Sequence, residues 1–309
     1  MVLMNNRLVV CAYHNVGYRC VSELLRQGAE IALIFTHEDS PTEEIWFDSV
    51  RELADQHNIP YLTTDINDPH NVERLRGIAP DFIFSFYYRN MIAPEVLAIP
   101  ALGALNLHGS YLPKYRGRVP VNWAVINGES QTGATLHYMV EKPDAGDIVD
   151  QEKVEIAFTD TAHDVFAKVI GAAETVIARA WPLIRDGLAG RVPMNLAEGS
   201  YYGGRKPADG CIDWTKSAAQ IYNLIRGVTH PYPGAFTFLD GKKVLVWQAW
   251  PLEGAGAPGQ IVSQCPFVVG TGHGLLEIQS LQVAGEEEFT AADYFNTHTL
   301  TITSFQENS

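Results

Sequence analysis

Apolar positions in the first 110 residues fall in short runs separated by amphipathic stretches. RLVVCAY (7–13) is patterned as a buried strand, and GYRCVSELLRQG (17–28) repeats its apolar residues at helical spacing as far as Gly28. EIALIFT is the next strand, PTEEIWFDSVRELADQHN (41–58) has helical periodicity, and IPYLTT resumes the sheet. NVERLRGIAP predicts a short helix, with DFIFSFYY and GALNLHG as two further strands. Strands alternating with helices predict parallel β-α units and a Rossmann-like, doubly wound, mostly parallel α/β sheet. Ligands of such sheets sit beyond the carboxyl ends of the strands. Ala12-Tyr13-His14, Phe86-Tyr87-Tyr88 and Asn106-Leu107-His108 are therefore expected to converge on one crevice.

Farther along, GATLHYMVEKPDAGDIVDQEKVEI predicts two strands around the loop EKPDAGD, and TAHDVFAKVIGAAETVIARAWPLIRDG a long helix ending near Gly187. NLAEGSYYGGRKPADGCIDW is rich in Gly and Pro and has no periodicity, which sets the expected domain boundary: 1–200, then 201–309. Beyond it SAAQIYNLIRGVTH predicts one helix, GAFTFLDGKKVLVWQAW a hairpin about Asp240-Gly241, and GQIVSQCPFVVGTGHGLLEIQSLQ more short strands. The expected second domain is smaller and mostly β, an OB-like barrel. From about Glu286 the chain is polar and predicts no element.

Composition narrows the partners. With 309 residues and a formal net charge of −14, the chain lacks the basic surplus that nucleic-acid binding draws on, although a local basic patch can still hold a small anion. Cys11, Cys20, Cys211 and Cys265 form no CxxC pair, which suits a reduced, cytoplasmic setting. No apolar run approaches the ~20 residues of a membrane helix, and the amino terminus lacks a secretory-signal pattern. Oligomeric state is left open.

Chemistry enters at ALNLHGSYLPKYRG (104–117). Side chains alternate along a strand, so Asn106 and His108 share a face. Asp144 lies in the turn KPDAGD. The first strand-to-helix turn holds only Gly17, where a dinucleotide fingerprint needs three glycines, and GxxxxGK[ST], HExxH and GxSxG are all missing. No metal site is expected, because no His, Cys or carboxylate set has ligand spacing. An Asn amide can donate to a developing oxyanion, a His can move a proton near neutral pH, and an Asp can orient or charge that His. No serine or cysteine stands out as a nucleophile, so the set suits direct attack of an amine on an acyl donor. Asn106 alone reads first as a loop tether, and His108 alone as a hydrogen-bonded strand-end histidine; it is the ordered set Asn-x-His-x-Ser, Leu-Pro, Arg-Gly and a later Asp-x-Gly that points to a site.

NLHGSYLPKYRG resembles the signature of the folate-dependent formyltransferases, roughly HxSLLPxxxG, and DAGDIV resembles their second signature loop. Tyr111 stands where that family usually has Leu. The resemblance implies the formyltransferase fold, 10-formyltetrahydrofolate as co-substrate, an amine as acceptor, and Asn106, His108 and Asp144 as the catalytic trio. AYHNVGYRCVSELL, IFTHEDSP, FIFSFYYRNMI, NGESQTGATLHYMV and HPYPGAF are similar to segments of the branch that formylates UDP-4-amino-4-deoxy-L-arabinose in lipid A modification and polymyxin resistance. Members of that branch continue into a decarboxylating dehydrogenase, so the sequence reads as a stand-alone enzyme or as part of a longer one. Where that branch carries an Arg pair, this chain has Gly204-Arg205.

By the same resemblance the folate pocket falls to Phe86, Tyr88, Arg89, Met91, Ile92 and the loop at Asp144. Read as a plain sequence, Phe86 is a core-strand residue, and Tyr88, Arg89 and Met91, past the strand end, are the better pocket candidates. Ser110, Lys114, Arg116, Arg205, Tyr232 and Phe236 are the substrate candidates, the basic residues for a diphosphate and the aromatic ones for a base. The alternatives are a formyltransferase for another UDP- or dTDP-linked amino sugar, a methionyl-tRNA formyltransferase, and an inactive folate-binding domain.

Overall fold

The computed structural model describes residues 6–40, 45–297 and 304–305. Its elements run β1 (Arg7–Ala12), α1 (His14–Arg26), β2 (Glu30–Phe35), α2 (Val50–Gln56), β3 (Tyr61–Leu62), α3 (Pro69–Ile78), β4 (Phe82–Phe86), α4 (Pro94–Leu97), β5 (Gly103–His108), β6 (Arg116–Gly117), α5 (Pro120–Ile126), β7 (Gln131–Tyr138), β8 (Ile148–Glu155) and α6 (Ala162–Arg185). They continue with β9 (Tyr201–Tyr202), α7 (Ala218–Val228), β10 (Ala235–Leu239), β11 (Lys242–Leu252), β12 (Ile261–Gln264), β13 (Phe267–Gly270), β14 (Leu275–Val283), β15 (Glu288–Thr290) and α8 (Ala291–Thr297).

The first sheet has the order β3-β2-β1-β4-β5-β7-β8. Its first five strands are parallel, and β7 and β8 join antiparallel. The central strands β1 and β4 are apolar on both faces, as a sheet covered by helices on both sides requires. Val9, Cys11, Leu33, Phe35 and Ile83 share a core with Val72 and Leu75 of α3 and Val96 of α4. On the alternate positions Phe84 meets Trp181 of α6, ring centroids 6.0 Å apart. Gly17 lets α1 lie close to β1, since a Cβ there would come within 3.1 Å of the Ala12 carbonyl carbon.

One expected helix is shortened. Periodicity predicted helix over 41–58, but α2 begins at Val50, with the Ser49 hydroxyl accepting from the Glu52 amide at 3.3 Å. Trp46 and Phe47 instead pack against the His14 ring, at 4.6 and 4.0 Å. The Asp48 amide is taken by Asn15 Oδ1 at 2.7 Å, so tertiary contacts override the local pattern. Residues 41–44 of that expectation lie outside the described residues.

The second large sheet is antiparallel, in the order β10-β11-β14-β13-β12 with β15 added on β14. The β10–β11 hairpin turns at Asp240 (φ 52°) and Gly241 (φ 71°), the two left-handed residues of a type I′ turn. Ile221, Tyr222 and Ile225 of α7 bury against Val246, Ile278 and Leu281. In the polar stretch after Glu286, residues 288–297 form β15 and α8, with the Thr290 hydroxyl accepting from the Asp293 amide at 3.2 Å and Tyr294 entering the core.

The chain divides into two compact units that interleave along the sequence. Unit 1 comprises Met1–Pro120, Gln131–Glu155 and Phe166–Gly203; unit 2 comprises Val121–Ser130, Ile156–Val165 and Gly204–Ser309. Hydrogen bonds explain why the two short insertions belong to unit 2. Arg226 of α7 donates to the carbonyls of Asp160 (2.7 Å) and Ala157 (3.3 Å), the Tyr222 hydroxyl donates to Phe158 O at 2.9 Å, and Asn122 Nδ2 donates to Gly227 O at 2.9 Å.

Candidate active site

The sequence-expected trio meets at the end of β5 in unit 1. Antiparallel pairing with β7 sets His137 opposite Asn106 and Thr135 opposite His108. The turn after β7 then returns Asp144, at φ 48°, to the same place. Asp144 Oδ1 accepts from Asn106 Nδ2 at 3.4 Å and lies 3.4 Å from His137 Nε2 and 3.6 Å from His108 Nδ1. Its other oxygen accepts from the Gly117 amide at 2.9 Å. Burial is the largest single influence on this carboxyl and pushes its pKa up. The charges of His108 and His137, and hydrogen bonds from His137 and the Gly117 amide, outweigh it and hold Asp144 well below the usual carboxylate range.

The hydrogen bonds fix the histidine roles. A carbonyl only accepts, so His108 Nε2, 2.8 Å from Tyr115 O, carries a proton, and Nδ1 is the nitrogen that faces the carboxylate. His137 Nδ1 likewise donates to Tyr138 O at 2.9 Å, leaving Nε2 toward Asp144 and 3.3 Å from Asn106 Nδ2. Sequence reasoning missed His137. Its signal was available: in GATLHYMV it shares the face of Thr135, and an antiparallel return beside β5 sets that face against Asn106 and His108.

The segment between His108 and Gly117 is held as a rigid turn. The Thr135 hydroxyl, fully buried, donates to Ser110 O at 2.7 Å and accepts from the Leu112 amide at 3.1 Å and from Gln151 Nε2 at 2.9 Å. Ser110, also fully buried, donates to Lys114 O at 2.7 Å, so its hydroxyl serves the turn. Tyr115 has φ 58°, as does Tyr87 after β4. Left-handed conformations at non-glycine residues cost about 1–3 kcal/mol each and gather at functional sites.

The other expected residues are placed as follows. Phe86 is fully buried in β4 against Phe84, and Ile92 is buried in the core beside α3. Tyr88 is half-buried, with its hydroxyl accepting from the Ile66 amide at 3.3 Å; burial pushes its phenol up to about 12. Arg89 is exposed, its guanidinium 4.5 Å over the Tyr13 ring, and Met91 is 63% exposed. Lys114 is exposed. Arg116 is only 8% exposed, and its Nε and Nη1 have no hydrogen-bond partner among the described residues.

The remaining three candidates belong to unit 2. Arg205 lies 4.7 Å over the Trp123 ring and donates to Asp209 O at 2.8 Å, and burial lowers its guanidinium pKa. Burial pushes the Tyr232 phenol up to about 12, against a hydrogen bond with Asn122. Phe236 is buried beneath the Lys243 ammonium, 4.1 Å from the ring centre. Among the described residues, no group of three or more His, Cys, Asp or Glu is placed to hold a metal ion.

The fold has counterparts in known proteins. In fold the chain is similar to an N-formyltransferase from Helicobacter canadensis in complex with folinic acid and dTDP-3-aminofucose (TM-score 0.70, 17% identity, covering 91% of this chain and 99% of that one). It is similar also to a 4-N formyltransferase from Francisella tularensis (0.65, 23%, covering 79% and 97%). A third similar structure is HypX from Aquifex aeolicus in complex with tetrahydrofolic acid (0.63, 19%), where the match covers 98% of this chain and 51% of that one. Residues 205–299 match the formyl transferase C-terminal domain. Residues 16–181, more than half of the chain and the part that carries Asn106, His108 and Asp144, match the formyl transferase domain, and the chain therefore belongs to the formyl transferase family.

Proposed function

We propose that the acceptor is the amine of a nucleotide-linked amino sugar, and specifically UDP-4-amino-4-deoxy-L-arabinose. The observation that carries the anionic acceptor is Arg116. A guanidinium 8% exposed, with Nε and Nη1 unpartnered among the described residues, is an unfavourable way to bury a charge unless an anion completes it. The planar fork of Arg suits a diphosphate. Arg116 immediately precedes Gly117, whose amide holds Asp144, so an anion there is anchored beside the trio. The similar structures with dTDP-3-aminofucose and with 4-N specificity support an amino-sugar acceptor, and the sequence segments resembling the UDP-aminoarabinose branch support the sugar. That acceptor would place the reaction in lipid A modification.

The folate co-substrate supplies the formyl group. The loop after β4 fits it: Met91 offers an exposed apolar side chain for a flat ring system, and Arg89 a cation for a carboxylate tail. The trio and His137 then divide the work. The Asn106 amide donates to the oxygen on which charge develops as the neutral amine adds to the formyl carbon. His108 keeps Nε2–H on the Tyr115 carbonyl and handles protons at Nδ1. A proton on Nδ1 finds Asp144 at 3.6 Å, so the carboxylate stabilises the charged ring. Asp144 or a water collects the proton that the amine loses; the bond between the formyl carbon and N10 then breaks as the intermediate collapses, N10 takes up one proton, and tetrahydrofolate leaves.

Two measurements test this reading. Turnover with 10-formyltetrahydrofolate is assayed against a panel of UDP- and dTDP-linked amino sugars, with UDP-4-amino-4-deoxy-L-arabinose expected to give the highest kcat/KM. Arg116→Ala is titrated with UDP and with folinic acid. UDP binding is expected to weaken about tenfold or more, the worth of a charge-assisted pair, with folinic acid unchanged. Weakened folate binding with intact UDP binding would reverse the assignment.

A further inference from the structure

His37 has no part in the trio, and its environment is unusual for an imidazole. It follows the end of β2, half-buried. Its ring stacks on Tyr88 (centroids 4.4 Å apart, planes 22° apart) and meets the edge of Tyr13 at 5.3 Å. Its Nε2 lies 3.0 Å from the backbone nitrogen of Arg89. A backbone N–H can only donate, so Nε2 is the acceptor and carries no proton. One side chain from the loop after β2, a strand that β1 separates from β4, thus grips both the main chain and a ring of the segment after β4. That segment begins with Tyr87 at φ 58°, a backbone that persists only when its surroundings hold it. Its far end is tied separately, by Asn67 Nδ2 donating to Met91 O at 2.8 Å and Asn67 Oδ1 accepting from the Ala93 amide at 2.8 Å.

We propose that His37 is a positioning residue for the folate: in its neutral form it holds Tyr88 and Arg89 in the binding conformation of the loop, and protonation releases them. The inference rests on the reading that this loop receives the folate. Protonation would place an N–H of the ring against the Arg89 N–H, two donors with no acceptor between them. The charged groups around the ring are the Arg89 guanidinium, which opposes a second positive charge, and Asp65, which favours one; Tyr13 and Tyr88 face it as neutral rings, and Glu38 and Asp39 follow it on its own loop. Burial and Arg89 prevail and hold the His37 pKa below the ordinary histidine value, so the ring is neutral at pH 7. Folate affinity is then constant above that pKa and falls as pH drops through it.

The experiment titrates folinic acid into the wild type, His37→Gln and His37→Leu from pH 5 to 8, with UDP as the control ligand and Met91→Ala as the control for the loop. Gln can accept the Arg89 N–H through Oε1 but does not titrate. It is expected to bind near the wild-type value at pH 7 and to lose the acid-side weakening. Leu has no acceptor and is expected to weaken folinic acid binding about fivefold at all pH values, the worth of one hydrogen bond. In both variants the folate KM is expected to follow these Kd values, with kcat at saturating folate unchanged. If His37→Gln keeps the wild-type pH profile, or His37→Leu binds normally at pH 7, the inference is overturned; should the Leu variant fail to fold, the Gln profile decides alone. Met91→Ala separates the two readings. If it leaves folinic acid binding intact, the loop is not the folate site; if it weakens binding while the His37 variants do not, only the role of His37 fails.

Discussion

Asp144 concentrates the site's electrostatics in one carboxylate, with two imidazoles, an amide side chain and a backbone N–H converging on it. Two predictions follow from that convergence. His108→Ala removes the nitrogen proposed to handle protons, Nδ1, and is expected to lower kcat at least ~100-fold, as acid–base and oxyanion groups typically do. The circular dichroism spectrum should stay native. Near-normal turnover would remove His108 from the mechanism. Asp144→Asn tests the charge itself through stability. The folded-state pKa of Asp144 is depressed, so its stabilising contribution is complete above the ordinary carboxylate pKa of about 4 and is lost as pH falls through the folded value. Wild type should therefore exceed Asp144→Asn in urea-unfolding stability at pH 6, and the gap should close as pH falls below about 4. A gap constant over that range would mean that Asp144 contributes by shape alone.

At the scale of elements, the turn after β5 is shaped by β7 as much as by β5. Thr135 uses its one donor and both acceptor positions to fix Ser110, Leu112 and Gln151. Thr135→Val keeps the volume but removes all three bonds, Gln151 retaining only its donation to Leu112 O, so a loss of about 3 kcal/mol in chemical denaturation is expected. Turnover should fall too, because the turn that carries the Tyr115 carbonyl loosens. Thr135→Ser should restore both; a stable, active Val variant would show that the turn holds itself. The sequence revealed β5 and its paired Asn106 and His108 because period-two spacing is local. Thr135 and His137 were not legible as site residues, since their role depends on which strand lies beside β5, a long-range pairing. The same reason hides β6 and β9, two-residue strands 85 positions apart in the Arg116–Tyr201 pairing. It also hides the shortening of α2, where Trp46 and Phe47 are drawn into aromatic contacts with His14. Arg116 was legible as a basic residue near the catalytic turn, but its burial was not.

Across the whole molecule, a net charge of −14 coexists with Lys114, Arg116 and Arg118 in five consecutive residues. The long-range field repels a polyanion, while a small anion that reaches the turn meets cations at contact distance. The two acceptor classes, nucleotide sugar and aminoacyl-tRNA, should therefore differ in salt dependence as well as affinity. A tRNA needs many phosphate contacts, and losing them makes log K fall steeply with log salt. A diphosphate held by a buried Arg116 is screened far less, because ions in bulk solvent do not reach the pair. The expected result is UDP binding that changes less than about threefold between 50 and 200 mM salt, with no tRNA retained in a gel shift at about 150 mM, where non-specific binding is already weak. Tight tRNA binding with a steep salt slope would replace the amino-sugar reading with the tRNA one. A steep slope for UDP alone would place its diphosphate on the exposed Lys114 and Arg118, with Arg116 left to a structural role.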